Sequence, residues 1–257
     1  MARDYFYHER SLQGKIDRNY KKRGRAFACF KSRVYNPYKA GQLSISKIDF
    51  KSISKKARLL SKYHKAVDIF NVGNWITSQS KFRPTVLEEF CGFLFKDLPE
   101  MRSVGLDFFN KKIYAGISID NKGKPIIKTK NVDFCIGKEI EISFDNNKIK
   151  MIIPLVAIEC KTYLDKTMFS EAQFTAQKLK QGSPNVSVFV FSEENQVDKR
   201  EIPSKGQTPV DQIFIIEDAS GKISNKAIYE FFKEVREGII KATRKNLILD
   251  VGKILPE

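Results

Sequence analysis

The stretch Leu155-Val156-Ala157-Ile158-Glu159-Cys160-Lys161 decides the predicted fold. Its apolar run is typical of a β-strand that is covered on both faces. Successive side chains of a strand point to opposite faces, so Glu159 and Lys161 share one face and Cys160 lies on the other. A carboxylate beside an amine can bind a cation and act next to a phosphodiester. The alternative is a strand that simply becomes charged where it leaves the core.

A second acid lies upstream, in the stretch Lys128-Thr129-Lys130-Asn131-Val132-Asp133-Phe134-Cys135-Ile136-Gly137. Asp133 stands among apolar residues in a segment, Pro125–Ile136, that is predicted to be a strand. Two carboxylates from neighbouring strands, together with a lysine, can hold Mg²⁺, which prefers oxygen ligands and keeps several waters. The pair Asp133 and Glu159 is therefore the candidate metal site.

Asp133 followed by Glu159-Cys160-Lys161 resembles the motif of the PD-(D/E)xK nuclease superfamily, although Val132 stands where that family often has proline. The resemblance covers about residues 83–192. It implies an α/β (α+β) restriction-endonuclease-like core, with a central mixed β-sheet flanked by helices and a basic N-terminal DNA-binding extension.

The resemblance also implies site roles. Asp133 and Glu159 are expected to bind Mg²⁺, with the backbone carbonyl of Cys160 as a further ligand, and Lys161 is expected to orient or deprotonate the attacking water. Members of the superfamily often place a glutamate on the helix before the sheet, and Glu88 is the candidate for that role. An ordinary surface glutamate is the alternative. Gln173, on the helix after the motif, is the candidate for a supporting polar residue.

The positive charge of the chain is concentrated near its start. Residues 1–65 carry 18 Lys and Arg against 4 Asp and Glu, whereas the other 192 residues carry 28 against 26. This asymmetry indicates a polyanionic partner, most simply the backbone of double-stranded DNA. The predicted DNA-binding side chains are Lys21, Lys22, Arg23, Arg25, Lys31, Arg33, Lys55 and Lys56.

We expect residues 1–80 to form a basic, aromatic-rich DNA-binding region and residues 81–257 to form the catalytic domain with a C-terminal strand and helix. The alternative for the first 40 residues is a solvated, partly flexible arm. The remaining predicted elements are helices over 46–70, 83–98, 165–180 and 224–241, strands over 112–120, 186–191 and 212–217, a hairpin of 139–144 with 148–153, and a polar loop over 193–209.

Several functional classes are excluded or disfavoured. No run approaches the 18 apolar residues of a membrane span, and the first residues hold no apolar signal segment, so we expect a cytoplasmic, prokaryotic protein without a membrane partner. Four widely spaced cysteines fit buried free thiols. His8 and His64 are the only histidines, which argues against zinc or histidine chemistry, and His64 is expected to serve packing. No GxxxxGK[ST] motif occurs.

Within the superfamily a type II restriction endonuclease fits best, making Mg²⁺-dependent, sequence-specific double-strand breaks. The stretch Glu159–Met168 is similar to the group of restriction enzymes that includes DdeI. The expected assembly is a homodimer or a heterodimer with a second subunit, by analogy with enzymes of palindromic and asymmetric sites. Two alternatives stay open: a repair or structure-selective nuclease of the same superfamily, and a non-catalytic DNA-binding protein.

Overall fold

The computed structural model describes residues 5–18, 22–73, 76, 82–110, 112–144, 147–204 and 206–243. Within them the helices are α1 (Tyr7–Arg18), α2 (Lys22–Phe30), α3 (Asn36–Ser44), α4 (Phe50–Asn71), α5 (Phe82–Phe95), α6 (Pro99–Ser103), α7 (Lys166–Gly182) and α8 (Asn225–Thr243). The strands are β1 (Asp107–Phe109), β2 (Ile113–Ile119), β3 (Pro125–Lys130), β4 (Phe134–Phe144), β5 (Asn147–Leu164), β6 (Ser187–Asn195) and β7 (Gln212–Ile215).

A mixed five-stranded sheet forms the centre of the molecule, in the order β1-β4-β5-β6-β7. β1, β4 and β5 are antiparallel neighbours, whereas β5, β6 and β7 run parallel. β5 is the middle strand, and its residues Val156, Ala157 and Ile158 are buried, as its apolar run predicts. β2 and β3 form a separate antiparallel hairpin. The predicted fold class, a mixed sheet flanked by helices, is confirmed.

Each face of the sheet packs on its own hydrophobic core. On one face α7 contributes Ala172, Ala176 and Leu179, which pack with residues such as Val188. On the other face α5 and α8 contribute aromatic side chains. The ring of Phe231 on α8 stacks on the ring of Phe191 on β6, with 4.2 Å between the ring centroids. Because side chains alternate along β5, Val156, Ile158 and Cys160 face the aromatic core under α5 and α8, whereas Ala157 faces the core under α7.

The basic N-terminal segment folds into α1, α2, a π-helical turn (Lys31–Tyr35) and α3. Its aromatic side chains are buried in the same core as α5 and α8. The rings of Tyr38 and Tyr63 stack at 4.3 Å, and Tyr5 meets Phe93 edge-on at 5.6 Å. The alternative of a solvated arm is therefore wrong for the described part of this segment, since its aromatics anchor it to the sheet's helical layer.

The predicted strand Pro125–Ile136 is wrong as a single element. β3 ends at Lys130 and pairs with β2, and β4 begins only at Phe134. Asp133 therefore lies in the short link between two different sheets. The prediction failed because the alternation of apolar residues continues across this link. It does not show that the pairing strand is β2 before the link and β1 and β5 after it.

Pro154, which the sequence predicts to interrupt the edge before the central strand, instead lies inside β5. The register with β4 shifts between Ile136 and Gly137 at this point, so a residue without a backbone N–H is tolerated. The backbones approach closely here: a Cβ on Gly137 would lie 2.5 Å from the carbonyl oxygen of Ile153. Glycine is thus required opposite the proline.

The helix before the sheet is shorter than predicted and more deeply buried. α5 ends at Phe95, and Pro99 is the first residue of α6, where a missing N–H costs nothing. All of the last ten residues of α5 are buried, including both of its glutamates. The reason is that α1 also packs on α5.

Candidate active site

Glu159 and Lys161 lie on one face of β5, as the two-residue period of a strand predicts. In the parallel register they stand beside Val190 and Ser192 of β6. Cys160 points the other way, into the aromatic core, where it is a buried free thiol. Lys161 Nζ donates to Glu159 Oε2 at 2.9 Å, so the acid and the amine of the motif are in direct contact.

Asp133 joins this pair from the link before β4. Its Oδ2 accepts hydrogen bonds from the backbone N–H of Cys160 at 3.0 Å and from Lys161 Nζ at 3.3 Å. The antiparallel register that sets Phe134 opposite Ile158 brings Asp133 to the end of β5. The three residues that the motif singles out are therefore close together, with one ammonium group in contact with two carboxylates.

The electrostatics of these groups are coupled. Burial raises the pKa of the Glu159 carboxyl above its ordinary value, and the charge of Asp133 raises it further, while Lys161 opposes both effects. Burial by itself lowers the pKa of Lys161, but the two carboxylates outweigh burial and hold that pKa above its ordinary value. Two acids placed this near each other depend on a positive charge between them.

Asp133 and Glu159 line a cleft of about 1010 Å³, and Lys161 contacts both of them. The wall of the cleft is made by α1, α5, α7 and the link before β4, and the lining residues that bear on the chemistry are Tyr7, Arg10, Thr85, Glu88, Lys130, Asn131, Asp133, Glu159 and Glu171. Glu88 thus faces the same space as Asp133 and Glu159, although it is buried to 6% exposure. A third carboxylate is available at the candidate metal site.

Glu89, next to it on α5, has a different environment. Its Oε1 accepts a hydrogen bond from the Tyr35 hydroxyl at 2.8 Å and its Oε2 accepts one from the backbone N–H of Glu9 at 3.0 Å. Burial raises the pKa of Glu89 to about 7, although both hydrogen bonds oppose this shift. Glu89 therefore ties the N-terminal helices to α5.

Gln173 is not among the residues that line the cleft. Its side-chain amide donates to the Thr208 hydroxyl at 3.2 Å, in the loop before β7. The structure therefore does not bring Gln173 to the cleft, because its position on α7 turns it toward that loop. Glu171 and Thr175 are the α7 residues with polar side chains nearest in sequence that do line the cleft.

The predicted DNA-binding side chains divide into three groups. Arg23, Arg25, Arg33 and Lys55 are exposed, and Lys31 is half-buried beside Glu9 at 3.4 Å. Lys56 is fully buried and donates to the carbonyl oxygen of Phe93, so its prediction as a DNA contact is wrong. It lies on the inner side of α4, where burial lowers its pKa to about 8. Lys21 and the side chain of Lys22 lie outside the described residues.

The sequence did not predict some of the residues that line the cleft. Tyr7 and Arg10 of α1 are far from the motif in the chain, and no local pattern signals that α1 borders the site. Lys130 and Asn131 did carry a signal, since they stand three and two positions before Asp133. The Lys130 ammonium also lies over the ring of Phe174 of α7, 5.0 Å from its centroid. Two elements that line the cleft, α1 and β3, thus each contribute a basic side chain, Arg10 and Lys130.

The mixed five-stranded sheet flanked by helices is the fold of a restriction endonuclease. The family model of the Bpu10I restriction endonuclease matches residues 79–247, and the chain belongs to this family. The solved structure described as the native BbvCI A2B2 tetramer at low resolution has the same fold, with a TM-score of 0.72. At 15% identity the match covers 94% of this chain and 98% of that chain. No curated protein matches the sequence.

Family membership therefore supports a type II restriction endonuclease, which acts on DNA as a site-specific nuclease. The resemblance to restriction enzymes drawn from the sequence is confirmed at this level. In addition, no helix of the described residues is long and apolar enough to cross a membrane.

Proposed function

We propose that this chain hydrolyses DNA phosphodiesters with the help of Mg²⁺, and that it makes sequence-specific double-strand breaks by the PD-(D/E)xK type of chemistry. The observation that carries the proposal is the contact of Lys161 Nζ with both Asp133 and Glu159 at the mouth of a cleft with basic walls. The similarity of Glu159–Met168 to the DdeI group stays a prediction.

The donor set fits Mg²⁺. Asp133 and Glu159 already share one cation, the ammonium of Lys161, and Glu88 faces the same cleft. Carboxylate and carbonyl oxygens are the ligands that this ion prefers. Asp133 and Glu159 would hold it, with the backbone carbonyl of Cys160 as a further ligand. When bound, the ion supplies an activated water and stabilises negative charge on the phosphate.

The basic side chains have different roles in the proposed reaction. Lys161, held by Asp133 and Glu159, orients the attacking water and places positive charge beside the phosphate. Arg10 and Lys130, which both line the cleft, bind phosphate oxygens and fix the strand in it. The exposed Arg23, Arg25, Arg33 and Lys55 extend this basic surface over the N-terminal helices.

We also propose that two subunits cooperate in cutting both DNA strands. One cleft of this kind serves one phosphodiester, so a double-strand break calls for two. The similar solved structure is described as an A2B2 tetramer of BbvCI, which is an assembly of two kinds of subunit. A second, different subunit is therefore the favoured partner, and a homodimer is the competing arrangement.

The test uses unmethylated plasmid, Mg²⁺ and four variants. Glu159→Ala and Lys161→Ala remove the proposed machinery. Glu139→Ala and Lys150→Ala are matched controls, because these two residues form an exposed Lys–Glu pair at 3.7 Å on the neighbouring β4–β5 hairpin. Wild type and controls are expected to give discrete bands, and the two active-site variants are expected to lose at least 100-fold in rate, in line with other electrostatic catalytic groups.

Other outcomes have distinct meanings. A smear, or nicking that follows DNA structure, would indicate a repair or structure-selective nuclease. Intact plasmid calls for repeating the assay with a co-expressed partner subunit. Intact plasmid in both assays, with DNA binding retained, would establish the non-catalytic alternative.

A further inference from the structure

A second cluster of metal-ligating side chains lies away from the candidate active site. It consists of His64 on α4, Glu193 near the end of β6, and Glu217 just beyond β7. One potential ligand atom from each residue lies within 4.8 Å of the others. Glu193, which the sequence assigns to a polar loop, is in fact 2% exposed, and His64 is 4% exposed.

The cluster lies on the opposite face of the sheet from Glu159 and Lys161. Lys161 stands beside Ser192 in the parallel register, so Glu193 points to the other face, together with Phe191. That face is covered by the N-terminal helices, α5 and α8, whereas Glu159 and Lys161 share the face of α7. The two sets of acids are therefore separate sites.

Three polar atoms of the cluster have no hydrogen-bond partner among the described residues. They are both ring nitrogens of His64 and Oε1 of Glu193, and all three are buried. A buried polar group left in this state costs about 1–3 kcal/mol, so three of them in one place need an explanation. The other oxygen of Glu193, Oε2, accepts from Arg83 at 2.8 Å, so Oε1 is the atom left over.

Protonation of His64 does not provide these atoms with hydrogen bonds. His64 Nε2 is 3.6 Å from Glu193 Oε1, and Nδ1 is 3.8 Å from Glu217 Oε1. Charge-assisted hydrogen bonds are about 2.7–2.9 Å long, so both separations are too wide. One ion binds only one ring nitrogen of His64, and one ligand atom from each of the three residues lies within 4.8 Å of the others. Ligand atoms around a tetrahedral ion at about 2.1 Å are about 3.4 Å apart, so a small movement of the side chains brings these atoms to one ion.

We propose that His64, Glu193 and Glu217 bind a divalent transition-metal ion of the zinc type. An imidazole nitrogen with two carboxylate oxygens is a donor set that suits Zn²⁺, whereas Mg²⁺ prefers oxygen ligands alone. When His64 is neutral, the carboxylates of Glu193 and Glu217 carry two negative charges and Arg83 carries one positive charge. The cluster therefore has a net negative charge. Glu217 is partly exposed, with 16% of its side chain accessible, and this opens a path for the ion from solvent.

The ion would join α4 to the ends of two parallel strands. α4 belongs to the N-terminal helical layer, and β6 and β7 belong to the sheet, so the site would fasten these two parts of the core together. Its role is structural, because the cluster does not border the cleft that holds Asp133 and Glu159.

The test measures bound metal in protein made without a histidine tag. Chelator-treated wild type is dialysed against Zn²⁺ with excess Mg²⁺, and bound zinc is counted by mass spectrometry. We expect one Zn²⁺ per chain and a higher melting temperature, because an ion that binds only the folded state stabilises it. The double variant Asp133→Ala/Glu159→Ala is expected to keep the zinc. The outcome of the zinc test therefore does not depend on whether the proposed nuclease site is correct.

His64→Gln is expected to lose the zinc and the rise in melting temperature. His8→Gln is the matched control, since it removes the other histidine, which is buried and already hydrogen-bonded. Should His64→Gln not fold, Glu217→Gln decides, with an expected loss of about tenfold or more in zinc affinity. The proposal is overturned by wild type that binds no zinc, or by zinc content and affinity that Glu217→Gln and His64→Gln leave unchanged.

Discussion

Glu88 and Glu89 are neighbours on α5, but they serve different parts of the molecule. Glu88 faces the cleft that holds Asp133 and Glu159, whereas Glu89 accepts a hydrogen bond from the Tyr35 hydroxyl at 2.8 Å. Successive helical residues differ by about 100° in direction, so one helix can face the site with one side and the N-terminal helices with another. α5 therefore connects the basic N-terminal segment to the chemistry.

This division gives a paired prediction for Glu88→Gln and Glu89→Gln. Glu88→Gln removes a carboxylate from the proposed metal site, so we expect Mg²⁺-dependent cleavage to fall by about 10- to 100-fold. Glu89→Gln replaces an acceptor of two hydrogen bonds by a group whose NH₂ cannot accept, so we expect a loss of about 1–3 kcal/mol in unfolding free energy. Plasmid cleavage and urea unfolding of both variants measure the two effects.

Cleavage that Glu88→Gln leaves unchanged would contradict the assignment of Glu88 to the site. A loss of cleavage in Glu89→Gln, measured well below its melting temperature, would contradict the structural assignment of Glu89.

Two glycines in helices are expected to respond oppositely to alanine. A Cβ on Gly92 of α5 would lie 2.1 Å from the ring of Tyr5, which is buried against α5, so Gly92→Ala should cost about 1–3 kcal/mol. A Cβ on Gly14 of α1 would meet only the end of Arg18, at 3.5 Å. Gly14→Ala should therefore stabilise by about 0.5–1 kcal/mol. Denaturant unfolding of the two variants provides the comparison, and destabilisation by both would contradict it.

His8 is expected to make the folded state sensitive to acid. Its Nδ1–H donates to the Thr85 hydroxyl, which in turn donates to the Phe82 carbonyl, and the Tyr63 hydroxyl donates to Nε2. Burial lowers the pKa of His8 from 6.5 to about 3, so the folded protein keeps the imidazole neutral. Below pH 6.5 the unfolded chain takes up a proton that the folded chain excludes. Stability should fall toward pH 3, by up to about 1.4 kcal/mol per pH unit.

The measurement compares unfolding free energies of wild type and His8→Gln at pH values from 7 to 4. The advantage of wild type over the variant should shrink as the pH falls, because only wild type carries this titration. A difference that stays constant over the range would show that His8 is protonated in the folded state or does not titrate.

The sequence predicted the parts of the site that depend on local geometry. The two-residue period of β5 places Glu159 and Lys161 on one face, and the apolar run before them identifies the central strand. The helix over 46–70 is present as α4, but it begins later, at Phe50. The sequence held a signal for that start, because aspartate is a preferred N-cap residue and Asp49 directly precedes Phe50. In the structure Asp49 accepts a hydrogen bond from the Ser52 N–H at 2.8 Å.

Other features depend on contacts between distant parts of the chain and could not be predicted. Nothing local shows that Tyr7 and Arg10 border the cleft, or that Lys56 of a lysine-rich helix is buried against Phe93. The burial of Glu193 beside His64 likewise arises from the packing of α4 on the ends of β6 and β7. A helical wheel gives the direction of a side chain, but not the element that it meets.

The cleft gives a last prediction, which concerns DNA binding. Arg10 of α1 and Lys130 of β3 both line the cleft, so Arg10→Ala/Lys130→Ala should weaken the binding of duplex DNA. Each lost phosphate contact should reduce the slope of log Kd against log salt concentration by about one, and the double variant by about two. Binding is measured without divalent ions, so that cleavage does not interfere.

The matched control is Lys148→Ala/Lys150→Ala, which removes the same number of charges from β5 at its far end, where the side chains are 71% and 66% exposed beside Glu141 and Glu139. If net charge alone governed binding, both double variants would shift the salt dependence equally. A larger change for Arg10 and Lys130 would assign the effect to the cleft, because counterions are released only where the backbone of the DNA makes contact. Equal changes would mean that the DNA does not lie between α1 and the β3–β4 link.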